Sequence, residues 1–192
     1  MNGVASLRVR EVQREPWIAT IDGVLTPEEC RDLIGHTELQ GYDEAPITTA
    51  MGPVRNPGFR NNTRVMEDDF ELAGWLWERL GELVPAELEG WRAIGLNERL
   101  RYYRYEPGQF FRWHMDGAFK RSPFERSLVT LMVYLNEGFR GGTTDFDQLG
   151  SIQPEEGMAL LFEHHVLHQG AQVREGVKYV LRTDVMYRAP GW

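Results

Sequence analysis

The chain has 192 residues, of which 42% are hydrophobic, and it carries a formal net charge of -8 with a pI near 5.2. This length suits one globular domain with a sizeable core, and the acidic balance argues against binding to nucleic acid or anionic membranes. The single cysteine, Cys30, excludes an internal disulfide framework and favours a reducing compartment. No signal-peptide core or membrane-length apolar run is present. We therefore expect a cytoplasmic protein, monomeric or homodimeric.

Two helices are predicted in the first half of the chain. Residues 22–38 contain Thr26 as a helix N-cap, Pro27 at the first helical position and acidic residues in the first turn. Residues 67–85 carry apolar side chains at helical spacing, and a proline ends the pattern. The segment between them, 46–64, is rich in Pro, Gly, Asn and Arg and predicts a long irregular loop that can include a short strand. Loops of this length often border a site.

From about residue 95 onward the pattern changes to short β-prone runs separated by glycines, such as LVTLMVYLN and VKYVLRTDVMYR. A series of short strands that follows helices indicates an antiparallel sandwich or barrel with the helices on one side. The predicted fold class is therefore α+β and mainly β.

A pair of metal-ligand side chains lies in the segment RWHMDG. His114 and Asp116 are two residues apart on a predicted strand, so they project from the same face and can chelate one ion. A similar pair, His36 and Glu38, lies near the end of the first helix, where positions two apart point to nearly opposite sides. Only the first pair is a candidate, and its alternative interpretation is a partly exposed strand pair without function.

The third ligand has three candidates in the stretch FEHHVLHQG. Two histidines and one carboxylate on one side of an ion leave the opposite positions open, which suits non-haem iron(II). His164 and His165 follow an apolar run and are typical of a polar turn after a strand, whereas His168 stands inside the next run. The spacing within the segment does not decide among the three.

The order of these motifs resembles that of the 2-oxoglutarate- and iron(II)-dependent oxygenases, in particular their prolyl 4-hydroxylase-like branch. The similarity is close over residues 95–188 and looser before them. It consists of a Tyr-x-x-Gly-x-aromatic approach to His-x-Asp in YEPGQFFRWHMD, a Tyr-Leu-Asn strand end followed by Gly-Gly-x-Thr-x-Phe, and the motif HQGAQVREGVK.

The resemblance implies a double-stranded β-helix, the jelly-roll fold of the cupins, as the core. Residues 1–192 would then form a single Fe(II)/2-oxoglutarate dioxygenase domain. Within it, residues 1–94 would be a supporting helical brace with loops, and residues 95–188 the β-barrel core.

The resemblance also selects His168 as the distal iron ligand, beside His114 and Asp116. Only from His168 do Val173 and Lys178 fall at the family's offsets of a valine five residues later and a basic residue ten residues later. His164 and His165 would then be turn residues near the site. The implied cofactor is Fe(II), and the implied cosubstrates are 2-oxoglutarate and O2.

The far carboxylate of 2-oxoglutarate needs a basic partner, for which Lys178 is the first choice and Arg182 its rival. Both share a strand face with Asp184, and an inward face of three charged residues is costly to bury unless the charges are paired or bind an anion. Arg182 can hold either carboxylate or pair with Asp184. Tyr105 and Tyr134 match family positions whose hydroxyls assist the cosubstrate, although both can also be core aromatics.

The implied reaction is hydroxylation of an unactivated C–H bond with release of succinate and CO2. We expect the target to be a prolyl or other amino-acid side chain, in a peptidyl or small-molecule substrate. Substrate-binding candidates are Arg64 and Asn62, in the segment FRNNTR, and Trp113 beside the first ligand.

Two other classes of protein stay open at this point. A cupin-like metalloprotein, or a dioxygenase that does not use 2-oxoglutarate, would share the histidines without needing Lys178 or Arg182. A non-catalytic binding or sensor module on the same barrel would tolerate the loss of an iron ligand, and here none is missing.

Overall fold

The computed structural model of the chain describes residues 7–49 and 52–191. Its first helix, α1 (Pro27–Gln40), begins where the capping signal predicts. The Thr26 hydroxyl accepts a hydrogen bond from the Glu29 amide (3.2 Å), and the Glu29 carboxylate accepts one from the Thr26 amide (2.8 Å). This reciprocal capping box satisfies two amides that the helix cannot pair internally, and it therefore fixes the start of α1.

The second helix, α2 (Phe70–Leu80), is shorter than the predicted interval of 67–85. Asp69 caps it by accepting a hydrogen bond from the Leu72 amide (2.9 Å), and a 3-10 helix (Gly81–Leu83) follows it. The helix therefore begins after its cap, because the acidic residues before Asp69 belong to a strand. No helix in the described part of the chain is long and apolar enough to span a membrane.

The first half of the described chain contains more strand than the sequence predicted. The segment predicted to be an irregular loop with a short strand holds a small hairpin and the start of a sheet strand. The hairpin strands have three residues each and are too short to produce a visible alternation. The strands are β1 (Arg8–Gln13), β2 (Ile18–Asp22), β3 (Asp43–Glu44), β4 (Ile47–Thr49), β5 (Gly52–Val54), β6 (Thr63–Asp68), β7 (Glu87–Leu88) and β8 (Trp91–Leu96).

In the second half of the described chain the regular elements are all strands, as the sequence predicted. The longest, β12 and β19, correspond to the two runs quoted above and pair with each other along their length. The strands are β9 (Arg99–Tyr105), β10 (Phe111–His114), β11 (Lys120–Ser122), β12 (Glu125–Tyr134), β13 (Arg140–Gly141), β14 (Thr144–Phe146), β15 (Gly150–Ile152), β16 (Ala159–Glu163), β17 (His168–Gly170), β18 (Val173–Glu175) and β19 (Lys178–Arg188).

The described strands form a large sheet, a small sheet of four strands, and two two-stranded sheets, β13-β18 and β4-β5. The large sheet runs β1-β2-β16-β12-β19-β9-β6-β3, with β8 paired to the C-terminal part of β19 and β11 paired to β12. The small sheet runs β10-β17-β14-β15. N-terminal strands thus extend the large sheet at both ends, so the described residues before residue 95 contribute sheet as well as helices.

The large sheet buries both of its faces. One face packs against the helices through a cluster that includes Cys30, Leu76 and Leu131. The other face packs against the small sheet, where the rings of Phe146 and Phe162 meet edge to face at 5.2 Å. Alternate residues of β9, β12 and β19 serve opposite faces, so every second side chain of these strands points towards the small sheet. The candidate site lies on that side.

Candidate active site

The three ligand candidates that the resemblance selected lie together in the structure. His114 ends β10 and His168 begins β17, and these neighbouring antiparallel strands place the two histidines directly opposite each other. Asp116 follows two residues after His114. The ligand atoms of the three side chains all lie within 4.8 Å of one another. One metal ion can therefore be held by residues from two adjacent strands and the loop after the first.

Each histidine of this triad presents its Nε2 atom to Asp116. The Nδ1 atom of His114 lies 2.7 Å from the Arg112 carbonyl, and that of His168 lies 2.9 Å from the Val166 carbonyl. A carbonyl can only accept, so Nδ1 carries the proton and Nε2 keeps a free lone pair. Burial, together with the neighbouring His168, lowers the pKa of His114 to about 3, and burial also lowers the pKa of His168. Both rings are neutral at physiological pH, as metal ligands must be.

The carboxylate of Asp116 is held by two side chains, one at each oxygen. Arg182 lies 3.1 Å from Oδ1, and the Thr130 hydroxyl donates a hydrogen bond of 2.6 Å to Oδ2. Burial opposes ionisation of Asp116, but the charge of Arg182 and the hydrogen bond from Thr130 outweigh it and hold the pKa of Asp116 well below its usual range. The carboxylate of Asp116 is therefore an anion with a fixed orientation, as a metal ligand requires.

His164 has more contacts than its assignment as a turn residue suggested. Both His164 and His165 lie in the turn after β16, as predicted, but His164 is buried whereas the side chain of His165 is 60% exposed. The Nδ1 atom of His164 lies 2.9 Å from the Thr130 hydroxyl, and its Nε2 atom lies 2.8 Å from the Ser127 hydroxyl. His164 is thus one side chain removed from Asp116. The alternating pattern of β12, which puts Thr130 on the site face, was the sequence signal for this contact.

A cavity of about 670 Å³ opens beside the triad, and Lys178 lies in its wall. Lys178 is only 2% exposed, its Nζ donates a hydrogen bond of 2.6 Å to the Gly142 carbonyl, and it lies 5.5 Å from the ring centroid of Tyr105. Burial lowers the pKa of Lys178 to about 7, although Asp145 opposes the shift. A buried cation of this kind, with a carbonyl as its only hydrogen-bond acceptor in the described residues, suits a ligand carboxylate.

The two tyrosines predicted beside the cosubstrate differ in position. Tyr105 lines the cavity and pairs directly across the sheet with Lys178. Tyr134 is fully buried behind the wall, where its hydroxyl lies 2.7 Å from that of Thr144, a lining residue. Its ring centroid lies 5.2 Å from Lys178 Nζ. Tyr134 therefore packs behind the residues that line the cavity and does not line it itself.

The inward face of β19 is charged. Lys178 and Asp184 are buried, and the side chain of Arg182 is 14% exposed. Arg182 lies 3.2 Å from Asp184 in addition to its contact with Asp116. Of the two roles that the sequence left open for Arg182, pairing with Asp184 is thus present, and the contact with Asp116 was not foreseen.

The three substrate-binding candidates also differ in position. Arg64 lines the cavity. Asn62 is buried behind it and accepts a hydrogen bond of 2.7 Å from Nε of Arg60, which is itself a lining residue. Trp113 is 40% exposed and is not among the residues that line the cavity. It directly precedes His114 on β10, so its side chain points to the opposite face of the strand. Arg64 and Arg60 therefore line the cavity, whereas Asn62 and Trp113 do not.

The residues present fit an iron(II) ion and a dicarboxylate. Two neutral imidazoles with free Nε2 lone pairs and one carboxylate form the donor set that non-haem iron(II) enzymes use. Lys178 supplies a buried cation in the same cavity.

Comparison with known proteins agrees with this chemistry. Residues 100–183 match the family model described as the 2OG-Fe(II) oxygenase superfamily. Prolyl 4-hydroxylase 1 of Arabidopsis thaliana is 25% identical over 209 residues, covering 92% of this chain and 71% of the relative.

Two solved structures share the fold of the chain. The 2OG complex of the viral collagen prolyl hydroxylase from Paramecium Bursaria Chlorella virus-1 superposes with a TM-score of 0.62 at 24% identity, covering 88% of this chain and 95% of that one. A prolyl hydroxylase from Trichoplax adhaerens, in complex with a hypoxia inducible factor peptide fragment, superposes with a TM-score of 0.65 at 16% identity, covering 88% and 82%. The double-stranded β-helix prediction is confirmed. Over residues 100–183 the chain is thus similar to the 2OG-Fe(II) oxygenase superfamily, and over most of its length it is similar to the prolyl 4-hydroxylases.

Proposed function

We propose that the protein is an Fe(II)- and 2-oxoglutarate-dependent hydroxylase that acts on a prolyl or other amino-acid side chain, protein-bound or free. The observation that carries the proposal is the presence of the triad and of Lys178 in the wall of one cavity. The triad would hold the iron, and Lys178 would hold the far carboxylate of 2-oxoglutarate. With iron and dioxygen, 2-oxoglutarate is converted to succinate and CO2 while a C–H bond of the substrate becomes C–OH.

The side chains of the protein position the reactants. His114 and His168 would bind the metal through Nε2, because a backbone carbonyl occupies each Nδ1. Asp116 would bind through one oxygen lone pair while Arg182 and Thr130 keep its plane fixed. Tyr105 is placed to contact the cosubstrate beside Lys178. Tyr134 would contribute only by orienting Thr144.

The substrate class rests on the relatives. Their names describe prolyl hydroxylases, and one of them is complexed with a peptide fragment. The substrate of this chain would accordingly be a peptide or a small molecule that presents an amino-acid side chain. We further propose that the chain works as a single domain, as a monomer or homodimer in the cytoplasm. The buried, unpaired Cys30 is compatible with a reducing compartment.

Lys178 also bears on the alternatives. A cupin-like metalloprotein, or a dioxygenase without 2-oxoglutarate, has no need of a buried lysine, and burying an ammonium group without a counterion is costly. A non-catalytic module has no need of a complete ligand set with both imidazoles in the metal-binding tautomer. These features favour the hydroxylase.

The test is succinate release in air. The purified protein is incubated with Fe(II), ascorbate and 2-oxoglutarate, with and without a panel of proline-containing peptides and free amino acids. We expect succinate formation that at least one substrate stimulates and that His168→Ala abolishes. Succinate formation that is equal in the His168→Ala variant, or absent with every substrate, would count against the proposal.

A further inference from the structure

The cavity beside the triad has an excess of positive charge although the chain is acidic overall. Its wall contains two carboxylates, Asp116 and Asp184, on a protein whose formal net charge is -8. Against them stand five cationic side chains, and a metal ion would add further positive charge. The five are Arg60, Arg64, Arg101, Lys178 and Arg182.

Three of these cations are accounted for. Arg101 lies 3.3 Å from Asp184, and Arg182 contacts both Asp184 and Asp116. Lys178 is the proposed contact of the cosubstrate. The remaining two, Arg60 and Arg64, form no ion pair with any residue that the structure describes.

Arg60 is the more deeply buried of the pair, with 6% of its surface exposed. Its guanidinium lies 4.6 Å from the ring centroid of Tyr103 and 4.3 Å from that of Phe111. Nε donates to Asn62, but one terminal nitrogen has no hydrogen-bond partner among the described residues. Aromatic faces offset only part of the cost of burying a cation, so Arg60 has an unmet requirement for an anion.

Arg64 stands in the same part of the wall. Burial, with the nearby charges of Arg60 and Arg101, lowers the pKa of Arg64, although Tyr103 opposes the shift. Two neighbouring guanidinium groups that repel each other are both stabilised by an anion bound beside them, and the planar guanidinium fork matches a carboxylate.

We propose that Arg60 and Arg64 form a second carboxylate subsite, distinct from Lys178, that binds the substrate to be hydroxylated. This inference rests on the proposed function. The subsite is one ring away from the metal centre, since the Phe111 ring that lies against Arg60 also stacks on His114 at 3.5 Å. A compact molecule anchored there can reach the metal centre with the rest of its carbon skeleton.

The substrate class that follows is a small carboxylic acid, such as an amino acid or an N-acylated amino acid. The cavity of about 670 Å³ must hold the cosubstrate as well, which limits the size of the second molecule. Tyr103 and Phe111 offer flat apolar surfaces to a ring or an aliphatic chain next to the anchored carboxylate.

The test compares the binding of an acid with that of its amide. N-acetyl-L-proline and N-acetyl-L-prolinamide are titrated into the full-length protein and followed by ligand-observed NMR, with neither iron nor 2-oxoglutarate present. We expect the acid to bind at least about tenfold more tightly, as one charge-assisted hydrogen bond provides. Arg60→Gln or Arg64→Gln should reduce this preference to about twofold or less. Arg64 is only partly buried, so its variant serves if Arg60→Gln fails to fold.

Two further variants make the assignment specific. Arg55→Gln removes a nearby arginine whose side chain is 73% exposed and paired with Glu44, and it should keep the preference. Lys178→Met should also keep it. A preference that is absent in the wild type, that survives in both cavity variants, or that is lost in Lys178→Met instead would overturn the subsite. Because the titration needs no iron, none of these results bears on the hydroxylase proposal, which succinate release tests.

Discussion

The Thr130 hydroxyl donates a hydrogen bond of 2.6 Å to Oδ2 of Asp116. Thr130 also bonds to His164, a buried histidine outside the triad, and so links that histidine to the candidate metal ligand. Because Thr130 gives its proton to Asp116, it must accept from Nδ1 of His164, and Nε2 of His164 then accepts from Ser127. Ser127 in turn accepts from the Phe119 amide (2.9 Å). Every donor direction in this chain is thereby determined.

We therefore predict that His164→Ala weakens iron binding. Side chains that hydrogen-bond to a metal ligand typically contribute about 10- to 100-fold in metal affinity or activity. Loss of His164 leaves the Thr130 hydroxyl free to rotate away from Asp116. Iron affinity is measured by anaerobic titration. His165→Ala, one residue away and exposed, is the matched control and should bind iron as the wild type does. Equal iron affinities of the two variants would show that the hydrogen-bond chain has no effect on the metal.

Replacing the two basic residues of β19 should affect different ligands. Lys178→Met removes the proposed charge partner of 2-oxoglutarate, and a lost charge-assisted hydrogen bond of about 1.5–3 kcal/mol raises the 2-oxoglutarate requirement by about 10- to 150-fold. Arg182→Met removes a contact of Asp116, so it should raise the iron requirement more than the 2-oxoglutarate requirement. Titration of each ligand at saturating levels of the other measures both. A larger increase in the 2-oxoglutarate requirement for Arg182→Met would reassign the far carboxylate to Arg182.

The affinity for 2-oxoglutarate should fall as the pH rises above neutrality. Burial lowers the pKa of Lys178 to about 7, so in the free protein the ammonium form prevails below that pH and the neutral amine above it. Only the ammonium form attracts a carboxylate, and above pH 7 binding must therefore take up a proton. The dissociation constant should rise by up to about tenfold per pH unit.

The control for this pH dependence is Lys178→Arg, because a guanidinium stays charged throughout the range. Binding is followed in the wild type and the variant from about pH 6 to about pH 9. A dissociation constant for 2-oxoglutarate that does not change with pH in the wild type, or that rises equally in Lys178→Arg, would show that titration of Lys178 does not control binding.

Gly142 should be intolerant of a side chain because of its contact with Lys178. It has a φ of 65°, and an added Cβ would lie 3.2 Å from Cδ of Lys178 and 3.0 Å from the side chains of Phe139 and Val173. Gly142→Ala should therefore displace Lys178 and raise the 2-oxoglutarate requirement. Gly150→Ala is the control, since Gly150 also has a positive φ but open space around it. Equal losses of affinity for 2-oxoglutarate in the two variants would assign the effect to backbone strain rather than to the contact with Lys178.

Much of the candidate site was predictable because its residues obey strand alternation. Lys178, Arg182 and Asp184 share a face, and the cost of burying three charges indicated a site there. The identity of the third ligand was not accessible from spacing, since three histidines lie within five residues. It required the resemblance to a known family, and the structure brings His168, rather than its neighbours, to within ligand distance of Asp116.

Other features depend on contacts between distant segments, which local patterns do not reveal. The isolated bridge between Arg60 and Phe111 joins a loop to β10, and it brings Arg60 against the wall of the site. The burial of His164 depends on its bonds to β12, 34 and 37 positions away in the chain. β3, at one edge of the large sheet, has only two residues and is too short to be recognised by alternation.

Anaerobic titration of the protein with Fe(II) and 2-oxoglutarate, followed by visible absorption spectroscopy, shows whether one cavity binds iron through the triad and 2-oxoglutarate beside it. We expect a weak visible charge-transfer band that appears only when both are present, saturates at one equivalent of iron and is absent in His168→Ala. The absence of a band in the wild type, or a band of equal intensity in His168→Ala, would contradict this expectation.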